Sequence, residues 1–355
     1  MTIMWINLSL VYIFSLLSRY FSIPLDVNSN FIKPNKLYMY FVIISLILVS
    51  GLRNNIGDTF FYMHSYKTNI QTWDKIDFSG DFGFNIMQMF LQKLSADPQI
   101  LILTTAIITN LLIVTVLYKY SRIFELSIYV YITSGMFTTS MNGIRQYLAA
   151  AIAFTATKYL LDGKFKKYAI IIFLASTIHQ SALVLLPMFF IVRREAWTKV
   201  TFILLGLSVL IVLGFNQFSN LLFSALDDTQ YGHYSDFAEG GANFLRVLVN
   251  AAPVVIAFIG RHKLREMWPK SDYIVNMSIV SMVFIIIASQ NWIFARFNIY
   301  FGLYNLILIS WIVKLFYERD RKLIYLAILI FYFIYYYYES VIGFGLIYES
   351  DYIDL

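Results

Sequence analysis

The chain has 355 residues, 59% hydrophobic and 18% aromatic but only 14% charged, with a formal net charge of +6 and no cysteine. A mean hydropathy of +0.67 is too high for a soluble core with a polar shell and marks a polytopic membrane protein. The missing cysteine excludes disulfides and thiolate metal sites, and the positive charge is read from its distribution among loops rather than as an affinity for nucleic acid.

A bilayer core takes about 20 apolar residues per helix. Cutting the chain where charge or turn residues interrupt such runs gives candidate spans at 2 to 18, 37 to 52, 98 to 118, 124 to 141, 143 to 161, 168 to 192, 198 to 215, 243 to 260, 273 to 290, 293 to 313 and 323 to 338. The expected fold is an all-α integral bundle of about 11 to 12 transmembrane helices, one domain over residues 1 to 355. The first run lacks a basic leader and a small-residue cleavage site, so it reads as a retained helix. Residues 53 to 97, with the amphipathic run FGFNIMQMFLQKL, and residues 216 to 242, with DDTQYGHYSDFAEGG, break the rhythm and are long enough to fold over a membrane surface.

Cytoplasmic loops favour Lys and Arg. The segments 19 to 36, 119 to 125, 158 to 167, 193 to 199, 261 to 272 and 314 to 322 hold 20 basic against 8 acidic residues, and the remainder 7 against 13. The first set is assigned to the cytoplasm, the second and both termini to the outside. Alternation fails only at residues 168 to 192, flanked by Lys166 and Lys167 before and Arg193 and Arg194 after. Either this run is one long tilted helix, with parity restored by a segment such as 83 to 95 dipping into the membrane, or it is a tight pair of short helices whose apex is His179 to Ser181. Both keep His179 away from the cytoplasm.

Arg53 ends the second run on the outer side. Arg145 lies in MNGIRQYLAAAIAF, where Asn142 is a candidate helix cap and the free N–H groups of a first turn favour an anion. Ala149, Ala153 and Ala156 below it form a small-residue face for close helix packing. Arg296, in NWIFARFNIYFGLY, sits one turn inside the outer end of its run. A lone arginine at a helix end is ordinarily an interfacial snorkeller, but three on a face that is otherwise acidic point to a bound anion. Asp58 has two readings, a partner of Arg53 or turn cap after Gly57, and a functional carboxylate. Trp5, Trp73, Trp292 and Tyr335 to Tyr338 read as an outer aromatic belt, and Trp197, Trp268 and Trp311 as an inner one. Asp227 and Asp228 read as a solvated acidic loop, and no metal site is expected.

The stretches GLRNNIGDTFFYMHSY, GIRQYLAAAIAF with the lysine-rich turn after it, STIHQSALVLLP and ARFNIYF, in that order over roughly residues 45 to 305, resemble the EpsG family of bacterial polysaccharide polymerases, relatives of the Wzy-type O-antigen and capsule polymerases. The first differs from the commoner pattern in carrying Asn54 and Asn55 before Ile56. The resemblance implies a glycosyltransferase at the outer face of the bacterial cytoplasmic membrane that joins oligosaccharide repeat units carried on undecaprenyl pyrophosphate. Its expected partners are lipid-linked donor and acceptor, membrane lipids and a chain-length regulator protein; neither cofactor nor metal nor nucleic acid is expected. Arg145, Arg296 and Arg53 are the expected pyrophosphate ligands, because a guanidinium holds phosphate oxygens in pairs. His179 is the expected base, with Asp58 its rival, and Gln146, Tyr62 and Asn142 the expected sugar contacts. A lipid-linked oligosaccharide flippase, a membrane acyltransferase acting on a glycan and a structural subunit of a secretion assembly are the alternatives.

Overall fold

The computed structural model describes residues 1 to 24, 32 to 226 and 240 to 353, and 78% of it is helical. The chain divides into two compact units, the first formed by Met1–Leu186 with Ile309–Leu355 and the second by Pro187–Leu308. In the first unit, α1 (Thr2–Tyr20) is followed by two short antiparallel strands, β1 (Ile23–Pro24) and β2 (Ile32–Lys33). Then come α2 (Lys36–Gly51), α3 (Thr59–Thr68), α4 (Phe82–Leu94), α5 (Gln99–Tyr120), α6 (Phe124–Thr133), α7 (Met136–Asn142), α8 (Ile144–Thr155), α9 (Thr157–Asp162) and α10 (Phe165–Ile178). The helix α11 (Leu185–Val192) leads into the second unit, which holds α12 (Lys199–Leu213), α13 (Phe215–Leu226), α14 (Phe244–Ile259), α15 (Arg261–Met267), α16 (Ser271–Ala288) and most of α17 (Ile293–Ile312). The helix α18 (Arg321–Tyr337) belongs to the first unit again.

The all-α membrane architecture agrees with the sequence, but the helices are more broken than their apolar runs. Among the described residues five helices are long and apolar enough to cross a bilayer, or seven if each of two bent pairs is one span. The run 124 to 141 is cut between α6 and α7 by Gly135, whose φ of 81° is open to glycine but strained for other residues. The run 143 to 161 is cut at Ala156. In the second unit α12 and α13 meet at 96°, and α14 and α15 at 80°. Residues 216 to 226, expected as part of a surface loop, are therefore helix; Asp227 and Asp228 lie outside the described residues.

The run 168 to 192 is a hairpin. Its first helix, α10, ends at His179, which is extended (φ −153°, ψ 115°), and a 3₁₀ turn over Gln180–Val184 follows. The hydroxyl of Tyr168, near the start of α10, donates to the carbonyl of Leu185 at 2.8 Å. A continuous helix would hold those two residues about 25 Å apart, so the chain has doubled back. At 14 residues, α10 is about 21 Å long, short of a bilayer core of about 30 Å. A single long tilted helix over this run is thereby excluded.

Within the first unit, the segments sorted by charge also meet by sort. Arg19, closing α1, pairs with the buried Glu125 at the start of α6. At the other end of α1, Trp5 packs on Phe333, Tyr336 and Tyr337 of α18. The C-terminal residues form a strap over the loop after α2. The Tyr348 hydroxyl donates to Val49 O at 2.9 Å, Asn54 Nδ2 to Asp351 at 2.8 Å and Asn55 Nδ2 to Ile347 O at 3.0 Å, while Glu349 N donates back to Asn55 Oδ1 at 2.9 Å. The unusual Asn54 and Asn55 thus act as clamps, for which an amide, donor and acceptor at once, is suited. We expect Asn55→Ala to cost about 1–2 kcal/mol and to speed proteolytic trimming of the tail in the detergent-solubilised chain; unchanged trimming and an unchanged melting midpoint would contradict the clamp.

Candidate functional site

Arg53 is buried, with only 1% of its surface exposed. Its guanidinium donates to Thr59 Oγ1 at 3.0 Å and, through its two terminal nitrogens, to the carbonyls of Ser50 and Met141. It joins the end of α2, the start of α3 and the end of α7. Every nitrogen of the fork is engaged by protein oxygen, so Arg53 is a scaffold residue here and does not present itself to a ligand. It does not pair with Asp58. The Asp58 N–H is instead taken by Asn142 Oδ1 at 2.9 Å. That contact explains Gly57, which stands at φ +54° and whose added Cβ would lie 2.3 Å from Asn142 Oδ1. Asn142 itself ends α7 and does not cap α8, whose N-cap is Gly143. The first two motifs are therefore bolted together by Arg53 and Asn142.

Arg145 falls in the first turn of α8, as expected, and its side chain is 44% exposed. Its guanidinium lies 5.9 Å from the Tyr62 ring and 5.8 Å from the Phe84 ring, and its Nη1 is 3.4 Å from Asp81 Oδ2. Asp81, just before α4, is the residue that sequence reasoning missed. Its other oxygen, Oδ1, accepts the Gln180 N–H at 2.9 Å and stands 3.5 Å from His179 Nδ1. The helix break at His179 frees that N–H, which a continuous α10 would have spent internally. The buried Nδ1 makes no hydrogen bond; it faces the carboxylate at ion-pair distance. Gln146, also on α8, reaches Ser181 Oγ at 3.5 Å.

Arg145, Asp81 and His179 thus form one chain of contacts drawn from three distant segments. Burial alone pushes the Asp81 carboxyl up, and His179, the Gln180 N–H and Arg145 together more than offset it, holding the group below the usual carboxylate range. Close packing sets the geometry. A Cβ added to Gly83 of α4 would lie 2.4 Å from Thr177 Oγ1 of α10, so only glycine lets α4 approach α10 closely enough for Asp81 to meet His179. Ala149 and Ala153 are buried on α8, and Ala156 just beyond it, and α8 packs against both α5 and α10.

Beside Arg145, α3 and α4 enclose a cavity of about 490 Å³ lined by Asp58, Tyr62, Asn69, Asn85, Gln88 and Phe84 among others. Asp58 and Tyr62, separately proposed from the sequence, share it. Arg296 belongs to the second unit, where it stacks 4.5 Å from the Trp292 ring. Among the described residues no group of three or more His, Cys, Asp or Glu side chains is arranged to hold a metal ion.

The EpsG family matches the chain over residues 36 to 349, nearly its whole length. The chain belongs to the EpsG family. No curated protein and no solved structure matches it. EpsG is a family of Wzy-type polysaccharide polymerases, so this member is a multi-pass membrane protein with a polymerase role in polysaccharide synthesis.

Two expectations separate scaffold from site in this EpsG protein. Arg53→Ala strips buried carbonyls of their donor and should cost about 3 kcal/mol, whereas Arg145→Ala removes an exposed pair worth at most about 1 kcal/mol; melting midpoints of the two purified variants that fall equally would refute the division. Asp81 is ionised in the fold at a lower pH than in the unfolded chain, so it stabilises the fold above the ordinary carboxylate pKa of about 3.9 and that contribution fades as the pH falls through its depressed value. Wild type and Asp81→Asn should therefore differ in stability at neutral pH and converge in acid, as read by unfolding across a pH series; a gap that widens in acid has the wrong sign for this site.

Proposed function

We propose that this EpsG protein polymerises oligosaccharide repeat units carried on undecaprenyl pyrophosphate, at the outer face of the cytoplasmic membrane, with Arg145 and His179 at the reacting groups. The observation that carries the reading is the Asp81 carboxylate, which holds a solvent-accessible guanidinium and an imidazole to one anchor, with the guanidinium on the wall of a polar cavity. Each partner suits one half of a glycosyl transfer. The acidic loops beside the site support an outward orientation.

In the proposed step an acceptor sugar hydroxyl gives its proton to His179. Its oxygen attacks the anomeric carbon of the lipid-linked donor chain, and the bond from that carbon to the pyrophosphate oxygen breaks, leaving the electron pair on undecaprenyl pyrophosphate. A carboxylate beside Nδ1 favours the tautomer with hydrogen on Nδ1 and the lone pair on Nε2, the arrangement of an oriented general base. Arg145 receives the charge that grows on the leaving pyrophosphate, where a fixed cation acts most strongly in the transition state. Asp81 positions both groups. Asp58, on the cavity wall, orients the acceptor hydroxyl or competes for its proton. Arg296 is proposed as a further pyrophosphate ligand on its sequence context alone.

Arg145→Ala and His179→Ala, made separately and expressed at normal levels, should each lower polymerisation by about 100-fold or more and leave short products on polymer gels. Long chains from both variants would rule the assignment out. Arg296→Ala is expected to shorten chains likewise, and normal polymer from it would remove that residue from the site.

A further inference from the structure

The cavity beside Arg145 has polar groups that nothing in the fold uses. Its walls are fixed by side chains already committed to one another: Gln92 Nε2 donates to Tyr66 O at 2.8 Å and Asn69 O at 3.0 Å, its Oε1 accepts from Gln71 N at 2.9 Å, and Asn69 Nδ2 donates to Ser65 Oγ at 3.1 Å. These hold the end of α3 against α4. By contrast, among the described residues no hydrogen bond engages the Asp58 carboxylate, the Tyr62 hydroxyl or the side-chain amides of Gln71 and Asn85, all of which line the cavity. The Tyr62 and Phe84 rings, 6.3 Å apart, close its inner wall beside Arg145.

We propose that this cavity is a subsite for an uncharged, hydroxyl-rich sugar of the repeat unit, gripped by Asn85 and Gln71, with Tyr62 and Asp58 completing its hydrogen bonds. The proposal rests on the polymerase reading above and names the sugar class that the site takes. A primary amide offers donors and an acceptor side by side and so matches a pair of neighbouring hydroxyls in either sense. A volume of about 490 Å³ is that of a small-molecule site. Charge settles the class: the cavity's charged groups are Asp58 and Arg145, and Arg145 is already shared with Asp81. A uronate or phosphate seated among the amides would face the Asp58 carboxylate without a cation of its own, whereas a neutral ring loses nothing there. Aromatic faces accept the C–H groups of such a ring, and a site built to bond hydroxyls discriminates against rings lacking them.

The test uses the full chain in lipid nanodiscs and, as probe, lipid-free oligosaccharides from partial acid hydrolysis of the host's own polymer, sorted by anion exchange into neutral and acidic fragments. Binding is read by saturation-transfer NMR. Neutral fragments should bind, and Asn85→Leu and Gln71→Leu should each weaken them about tenfold. Should Asn85→Leu lower the melting midpoint, Asn85→Asp keeps the shape, and a loss of similar size is expected from it. Undiminished binding by the Asn85 and Gln71 variants, preferential binding of acidic fragments, or a polymer yielding no neutral fragment overturns the proposal. If Arg145→Ala cells still make long polymer while Asn85→Leu abolishes fragment binding, the assignment of Arg145 falls and the sugar subsite stands.

Discussion

One carboxylate holds the site together. Asp81 accepts a backbone N–H released by the break in α10, stands beside the imidazole at that break and reaches the guanidinium in the first turn of α8. Its partners lie 64 and 99 positions away in the chain. The carboxylate contacts both the Arg145 guanidinium and the His179 imidazole, and α8, which also packs on α10 and reaches Ser181 through Gln146, is held in place around it. The close approach at Gly83 is the steric half of the same constraint, because it fixes how near α4 can bring Asp81 to α10.

Around that centre lies a second framework, built of hydrogen bonds rather than ion pairs. Arg53 spends its donors on Ser50, Thr59 and Met141, Asn142 takes the Asp58 N–H, and Asn54 and Asn55 clamp the C-terminal residues. These contacts explain why a greasy helix is followed at once by GLRNNIGD. A buried guanidinium is tolerable only when its N–H groups find acceptors, and a helix end supplies carbonyls that lack intrahelical partners. Arg53 uses that supply, and by joining Met141 it fixes the residue next to Asn142, three positions before Arg145.

The legible and illegible parts of the sequence divide along physical lines. Apolar runs gave away the helices because transfer to lipid is a sum over many residues, and FGFNIMQMFLQKL matches α4 from end to end. Charge sorting marked residues 168 to 192 as irregular, and the chain does double back there. Breaks were harder to see: Gly135 and Ala156 interrupt apolar runs without adding any charge or proline. Arg145 and His179 stood out as rare ionisable groups in apolar surroundings. Asp81 did not, being one of five acidic residues between 53 and 97 with no spacing to single it out. Arg53 looked like a ligand for the same reason that Arg145 did, since a sequence records a charge but not whether neighbouring carbonyls have already claimed it.

The broken helix at His179 is what makes the arrangement possible in a membrane protein. Unspent backbone groups in an apolar medium are costly unless they line a polar site or meet a partner, and here the freed Gln180 N–H meets Asp81. The resting site is consequently not an open trap for anions: Arg145 already shares a carboxylate, so a ligand must compete with Asp81 for it. On the proposed reading this favours a pyrophosphate, whose several oxygens can engage the guanidinium fork while Asp81 keeps its bond to Gln180 and its place beside His179. A single carboxylate or chloride would offer less in exchange. Selectivity for the lipid-linked diphosphate then comes from the anion built into the site as much as from the cation that binds it.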